Sequence, residues 1–204
     1  AVNMQALEEV LLRISEMVCE LPSLHEFDIN PVIADESGAI AVDARVVLLQ
    51  TPERRGRYAH MAIHPYPSHF VTSWQPPGYP HVTLRPIRPE DAVIEQAFVS
   101  GLSPESRYFR FMGTLRELTP QMLVRFTQID YDREMAFVAL VEEDAREIEI
   151  GVCRYVANPD GASCEFAVAI ADGWHRRGLG RRMMCQLIEA ARARGLRTMI
   201  GHVL

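Results

Sequence analysis

The first fifty residues place apolar and polar positions in a pattern that predicts one helix and one β-hairpin. Apolar side chains recur every three or four positions over residues 5–20, and Pro22 ends the pattern, which is typical of an amphipathic helix. Two apolar runs then flank the turn sequence "ESG". In the second run apolar positions alternate with Asp43 and Arg45, so we expect Asp43 to point away from the buried side.

From residue 82 onward the pattern predicts a different order of elements. One strand-like run is followed by three helical runs, three further strands, a long amphipathic helix and a last apolar run. The order β-α-α-α-β-β-β-α-β predicts an α/β sandwich with several antiparallel strands, and not a doubly wound parallel sheet.

The segment between these two parts is rich in proline and histidine and shows little periodicity. We interpret it as a linker or a wrapped arm, since its histidine spacing fits no common metal site. The predicted organisation is therefore a first unit at 1–50, a proline-rich linker at 51–81 and a second unit at 82–204.

Composition narrows the class of protein. The chain has 204 residues and a net charge of −6, which argues against a general nucleic-acid binder. No apolar run is long enough to span a bilayer, and the four cysteines lie far apart, so we expect reduced thiols in a cytoplasmic protein. Every basic residue is arginine, and the sequence contains no lysine. The ends, "AVNM" and the strand-like "RTMIGHVL", lead us to expect a piece of a longer polypeptide.

The stretch "GWHRRGLGRR" at 173–182 lies between a predicted strand and a predicted helix. A helix N-terminus has backbone N–H groups without partners and a partial positive charge, and both features attract anions. Glycines at 178 and 180 permit a tight turn and a close approach. From these residues alone, a phosphate-binding loop and an ordinary solvated helix start are both open. Four arginines surround the loop: Arg176, Arg177, Arg181 and Arg182.

The strand before this loop favours the phosphate-binding alternative. Strand alternation places Cys164, Phe166, Val168 and Ile170 on one face, and it places Glu165, Ala167 and Ala169 on the other. Two alanines beside a carboxylate leave a groove that a slender ligand fits.

The stretch "FAVAIADGWHRRGLGRRMMCQLIEAARARGLR" resembles motif A of the GNAT superfamily of acetyl-CoA-dependent N-acetyltransferases. Its first motif position is His175, where the family has Gln or Arg. Together with "EFDINPVIADESGAIAVDARVVL", "RPIRPED" and "LSPESRYFRF", the chain is similar to a bacterial group of protein lysine acetyltransferases. In that group an ATP-grasp, acyl-CoA synthetase-like region of the NDP-forming type precedes the GNAT domain. The resemblance implies a mixed GNAT sheet flanked by helices, C-terminally truncated here, after a small α+β remnant of the ATP-grasp region.

The resemblance also implies roles for residues. Glu165 would act as the general base, directly or through a water, with a pKa raised by apolar neighbours. Backbone groups around Val168 and Ile170 would bind the pantetheine arm of acetyl-CoA. The pyrophosphate would lie on residues of the loop, namely Arg176, Arg177, Gly178, Leu179, Gly180 and Arg181.

In the front part, Asn30 and Asp43 match positions that bind Mg²⁺ in the ATP-grasp family, but we expect no metal in this fragment. The tyrosine that protonates the departing thiolate in many GNAT enzymes would lie beyond Leu204. The open sheet edge is a possible site for pairing with a second copy.

Three functions remain open from the sequence. The first is acetylation of lysine in a target protein, with an acyl-CoA synthetase as a candidate acceptor. The second is acetylation of a small-molecule amine, because motif A specifies the donor and says little about the acceptor. The third is a non-catalytic module that binds acyl-CoA.

Overall fold

The computed structural model describes residues 2–49, 58, 60–61, 63–113 and 115–202. The chain divides into two compact units, Ala1–Pro65 and Tyr66–Leu204. Among the described helices, none combines the length and the apolar content needed to cross a bilayer.

The described part of the first unit contains one helix and two antiparallel strand pairs, and the predicted helix and hairpin are both present. Helix α1 begins after Asn3, whose side chain accepts a hydrogen bond from the Ala6 N–H. A turn at residues 35–38 joins β2 to β3, and β1 pairs with β4 around this hairpin. The bounds are α1 Met4–Glu20, β1 Leu24–Ile29, β2 Val32–Ala34, β3 Ala39–Ala41 and β4 Ala44–Leu48.

One expectation for this unit is wrong. The apolar residues that alternate with Asp43 and Arg45 were expected to form a buried side, but Ile40, Val42 and Val46 are all exposed. The described elements of this unit do not cover this face of the strands, and α1 buries none of its own residues.

The second unit is built on a six-stranded sheet. The strand order is β10-β9-β8-β7-β6-β5, and every neighbouring pair is antiparallel except β9 and β10, which are parallel. The predicted mixed sheet is confirmed. The bounds are β5 Thr72–Trp74, β6 Val82–Pro86, β7 Glu134–Glu143, β8 Arg146–Ala157, β9 Ser163–Ile170 and β10 Thr198–Ile200.

Helices cover both faces of this sheet. On one face α5 packs through Leu179, Met183 and Leu187, and on the other face α2 packs through Phe98 and Val99. The hydroxyl groups at 103 and 119 cap α3 and α4, as their position before proline predicts. The bounds are α2 Ala92–Gly101, α3 Pro104–Phe111, α4 Pro120–Thr127 and α5 Leu179–Ala193.

The second half of the proline-rich segment belongs to the second unit and supplies an edge strand. Strand β5 pairs with β6. The buried side chain of Gln186 on α5 forms hydrogen bonds with two residues around the start of β5. The Gln186 side chain donates to the Phe70 carbonyl oxygen at 2.5 Å and accepts from the Thr72 hydroxyl at 3.0 Å. The strand has only three residues and lies in a proline-rich segment between Pro67 and Pro76, so it shows no periodic pattern in the sequence.

Candidate functional site

Strand β9 has an open edge directed away from β8. The Ala171 N–H donates to the Ile150 carbonyl oxygen on β8 at 2.9 Å. Backbone direction alternates along a strand, so the N–H and C=O groups of Val168 and Ile170 point to the opposite side. On that side β10 pairs with Ser163, Cys164 and Glu165 alone, so the described residues leave the rest of the β9 edge without a partner strand.

The chain after β10 passes close to the side chain of Phe166. A Cβ atom added to Gly201 would lie 2.6 Å from Cε1 and Cζ of the Phe166 ring, so any larger residue would require the ring to move. The ring therefore occupies the place where the two strands stop pairing.

The open edge ends at a loop whose backbone suits an anion. Arg176 has φ +60° and Gly178 has φ +83°, so both residues adopt the left-handed conformation. Left-handed residues in a turn make successive backbone N–H groups point into one concave surface, which suits an anion. Helix α5 begins at Leu179, and no acidic side chain lies in its first turn. The predicted loop between strand and helix is therefore present, with the N-terminus of a 15-residue helix at its end.

The four arginines of the loop differ in their surroundings. Arg176, Arg181 and Arg182 are exposed, and Arg177 is half buried. The Arg177 guanidinium lies over the Tyr79 ring, and Arg182 lies over the Trp74 ring while donating to the Ser73 carbonyl oxygen at 3.4 Å. Two of the four cations are thus held by the segment that precedes β6.

The residue at the first motif position, His175, also contacts the strand. Its ring Nε2 lies 2.9 Å from the Ile170 carbonyl oxygen, a hydrogen bond that requires the proton on Nε2. A histidine at this position therefore ties the loop to the end of β9.

Glu165 lies where the pairing of β9 with β10 ends. It is opposite Val156 on β8 and Ile200 on β10, and its side chain is exposed. The burial expected from its apolar neighbours is absent, because no described element covers this part of the face. The alternation itself is confirmed, since Cys164 packs with α5 and Ala169 packs with the core on the opposite face.

Two features of the site were not predicted, and the first is a carboxylate bound by two serines. The Asp172 carboxylate accepts hydrogen bonds from the Ser103 N–H, the Ser103 hydroxyl and the Ser106 hydroxyl at 2.9, 2.9 and 2.7 Å. These hydrogen bonds lower the pKa of Asp172 to about 2, with the Ser103 N–H as the main cause. They attach the start of α3 to the loop that follows β9.

The second feature that was not predicted is a buried pair of carboxyl groups between α2 and β8. Glu95 and Glu149 are both almost fully buried, and burial raises the pKa of each above its ordinary value. Their mutual repulsion raises the pKa of Glu149 further, while the charge of Arg154 opposes the shift. In the sequence these glutamates look like ordinary surface positions of an amphipathic helix and a strand.

In the first unit, Asn30 and Asp43 are neighbours across the strand pair β1 and β4. The Asn30 N–H donates to the Asp43 carbonyl oxygen at 3.2 Å, and the Asp43 carboxylate accepts from the Ala44 N–H at 2.9 Å. Over the part of the chain that the structure describes, no three His, Cys, Asp or Glu side chains converge as a metal site would require.

Comparison with known families assigns both units. Residues 81–204 match the acetyltransferase (GNAT) domain family, and residues 1–48 match the ATP-grasp domain family. The GNAT match covers more than half of the chain.

Individual relatives agree with these matches. An acetyltransferase of Pseudomonas aeruginosa is 45% identical over 119 residues, which are 58% of this chain and 64% of that protein. The subunit beta of the ADP-forming acetate–CoA ligase I of Pyrococcus furiosus is 49% identical over 47 residues, 23% of this chain and 20% of that protein. The chain thus spans less than two thirds of the length of either relative.

A solved structure has the same fold. The GNAT domain of S. lividans PAT superposes with a TM-score of 0.62 at 25% sequence identity, covering 69% of this chain and 82% of that one.

Proposed function

Because this chain belongs to the GNAT acetyltransferase family, we propose that it transfers an acetyl group from acetyl-CoA to the ε-amine of lysine in a target protein. GNAT enzymes use an acyl-CoA as donor. The similarity to the GNAT domain of S. lividans PAT supports a protein as the acceptor. We propose an acyl-CoA synthetase as the first acceptor to test.

The observation that carries this proposal is the path from the open edge of β9 to the start of α5. Val168 offers a backbone donor and a backbone acceptor on that edge, and Ile170 adds its N–H, since its carbonyl oxygen already accepts from His175; these groups suit the amides of pantetheine. The pyrophosphate then lies on the loop from Arg176 to Arg181, where backbone N–H groups and the helix dipole favour an anion. The thioester lies back along the strand towards Glu165.

Glu165 acts as the general base in this proposal. A lysine amine is protonated near neutral pH and must lose a proton before it attacks. Glu165 accepts that proton, directly or through a water, because its exposed carboxylate lies at the end of the open edge. The amine nitrogen then bonds to the carbonyl carbon, the carbon–sulfur bond breaks, and CoA leaves as a thiolate that takes up a proton.

The proposal is tested by incubating the chain with labelled acetyl-CoA and a lysine-containing acyl-CoA synthetase, in parallel with a panel of small amines. Because the chain contains no lysine, label on a lysine Nε belongs to the acceptor. Label on the synthetase supports the proposal. Label on small amines alone identifies a small-molecule acetyltransferase, and acetyl-CoA binding without transfer identifies a binding module.

A further inference from the structure

Two aromatic residues hold Arg177 beside the start of α5. Its guanidinium carbon lies 4.0 Å from the centroid of the Tyr79 ring and 5.3 Å from the centroid of the Trp174 ring. The two rings contact each other, with centroids 5.8 Å apart. A cation is attracted to the face of an aromatic ring, and this contact uses none of the five N–H donors of arginine.

Those donors have no partner in the described part of the chain. The ion pairs found there leave Arg177 without a carboxylate. Arg85 shows the contrasting case, since Asp91 and Glu147 bind its guanidinium with three hydrogen bonds of 2.7 to 2.9 Å. Among the described residues, Arg177 is therefore a positioned but uncompensated cation, half buried within the proposed anion-binding loop.

The position of Tyr79 is fixed by a turn that the domain match does not include. The Tyr79 N–H donates to the Pro76 carbonyl oxygen at 3.1 Å, and the Gln75 side chain donates to the Tyr79 carbonyl oxygen at 2.6 Å. Gly78 supplies the positive φ of +77° that this turn requires. The GNAT match begins only at residue 81, so the contact on Arg177 comes from the segment before the domain.

We propose that Tyr79 and Trp174 position Arg177 to bind the 3′-phosphate at the nucleotide end of acetyl-CoA, an inference that rests on the proposed donor. Tyr79 and Trp174 lie against Arg177 in the loop that leads from the open edge of β9 to α5. A donor whose pyrophosphate lies on the backbone of that loop has its nucleotide end within reach of Arg177. A phosphate monoester matches the forked donors of arginine better than any other group at that end.

The experiment compares acetyl-CoA with acetyl-dephospho-CoA, which lacks only the 3′-phosphate, by titration calorimetry of the 204-residue chain. We expect acetyl-CoA to bind about tenfold more tightly, as for one charged hydrogen-bonding group near the surface. Arg177→Ala and Tyr79→Ala should each bring the ratio of the two dissociation constants close to one. Tyr79→Phe keeps the ring face and should keep the ratio. Arg192→Ala removes one positive charge at the far end of α5, and this control variant should also leave the ratio of the two dissociation constants unchanged.

Two results would overturn the inference. The first is an unchanged chain that binds both donors with equal affinity. The second is an Arg177→Ala variant that weakens both donors by the same factor, because Arg177 would then serve the shared pyrophosphate. Binding of neither donor to the unchanged chain would instead contradict the proposed function itself, which keeps the two failures distinct.

Discussion

Asp172 and Ser103 lie 69 positions apart in the sequence and are joined by two hydrogen bonds of 2.9 Å each. Ser103 is also the N-cap of α3, since its hydroxyl accepts from the Ser106 N–H. One serine therefore caps the helix and attaches it to the loop between β9 and α5.

Replacing Asp172 with Asn should destabilise the chain by about 1 kcal/mol near neutral pH, because charged hydrogen bonds are lost at an exposed site that solvent screens. The pKa of Asp172 is lowered, so its contribution is complete above the ordinary value of 3.8 and disappears as the pH falls towards about 2. Urea unfolding at pH 7 and at pH 3 measures the difference. An equal loss at both pH values would contradict the assigned role of the ionised carboxylate.

The buried pair of Glu95 and Glu149 should make stability depend on pH in the opposite sense. A pKa raised by burial means that the folded chain holds protons that the unfolded chain has released. This contribution is complete below the ordinary value of 4.5 and decreases as the pH rises through the raised pKa values. Glu149→Gln should therefore unfold at higher urea than the unchanged chain at pH 8, and the advantage should shrink towards pH 5. Exposed Glu142→Gln is the control, and parallel pH profiles of the unchanged chain and Glu149→Gln would refute the expectation.

Glu165→Gln should lower kcat for acetyl transfer by at least about a hundredfold near neutral pH, as expected when a general base is lost. The KM for acetyl-CoA should change little, because the donor contacts in the proposed path are backbone groups. The rate of the variant should continue to rise with pH as more of the amine is deprotonated in solution. Glu143→Gln, at the exposed end of β7, is the matched control. Unchanged turnover in Glu165→Gln would remove the assignment.

Two glycines at opposite ends of α5 allow a matched test of the anion-binding loop. Gly178 has φ +83° and Gly195 has φ +80°, and an added Cβ meets no atom within 4 Å at either position. Alanine at either position should therefore cost about 1 kcal/mol of backbone strain. Only Gly178→Ala should also weaken the binding of acetyl-CoA, by about tenfold, because its φ shapes the loop that we propose binds the pyrophosphate. Equal affinities of the two variants would show that the loop does not bind the donor.

The fold was largely predictable because its elements carry strong periodic patterns. Helix α5 has an apolar stripe that includes Leu179, Met183 and Leu187, and these residues are buried against the sheet. The hairpin of the first unit was equally clear from its turn. Strand β5 was missed, since a strand of three residues in a proline-rich segment carries too little pattern, and the strand depends on tertiary contacts to Gln186.

The site was predictable in its backbone and less so in its side chains. The loop before Leu179 is recognisable because glycines and a strand-to-helix transition are local features of the sequence. The exposure of Glu165 and the contact of Tyr79 with Arg177 depend on which strands stop pairing and on residues almost a hundred positions away. Local patterns carry no information about either.

In the proposed binding mode, the short parallel pairing of β9 with β10 would give the co-substrate a structural role. An extended pantetheine arm on the edge beyond Glu165 would present amide groups at the place where a neighbouring strand would present its own. The donor would then complete a hydrogen-bonded ladder that the polypeptide leaves unfinished. In this view the six-stranded sheet acquires part of a further strand with every turnover, and it gives that strand up when CoA leaves.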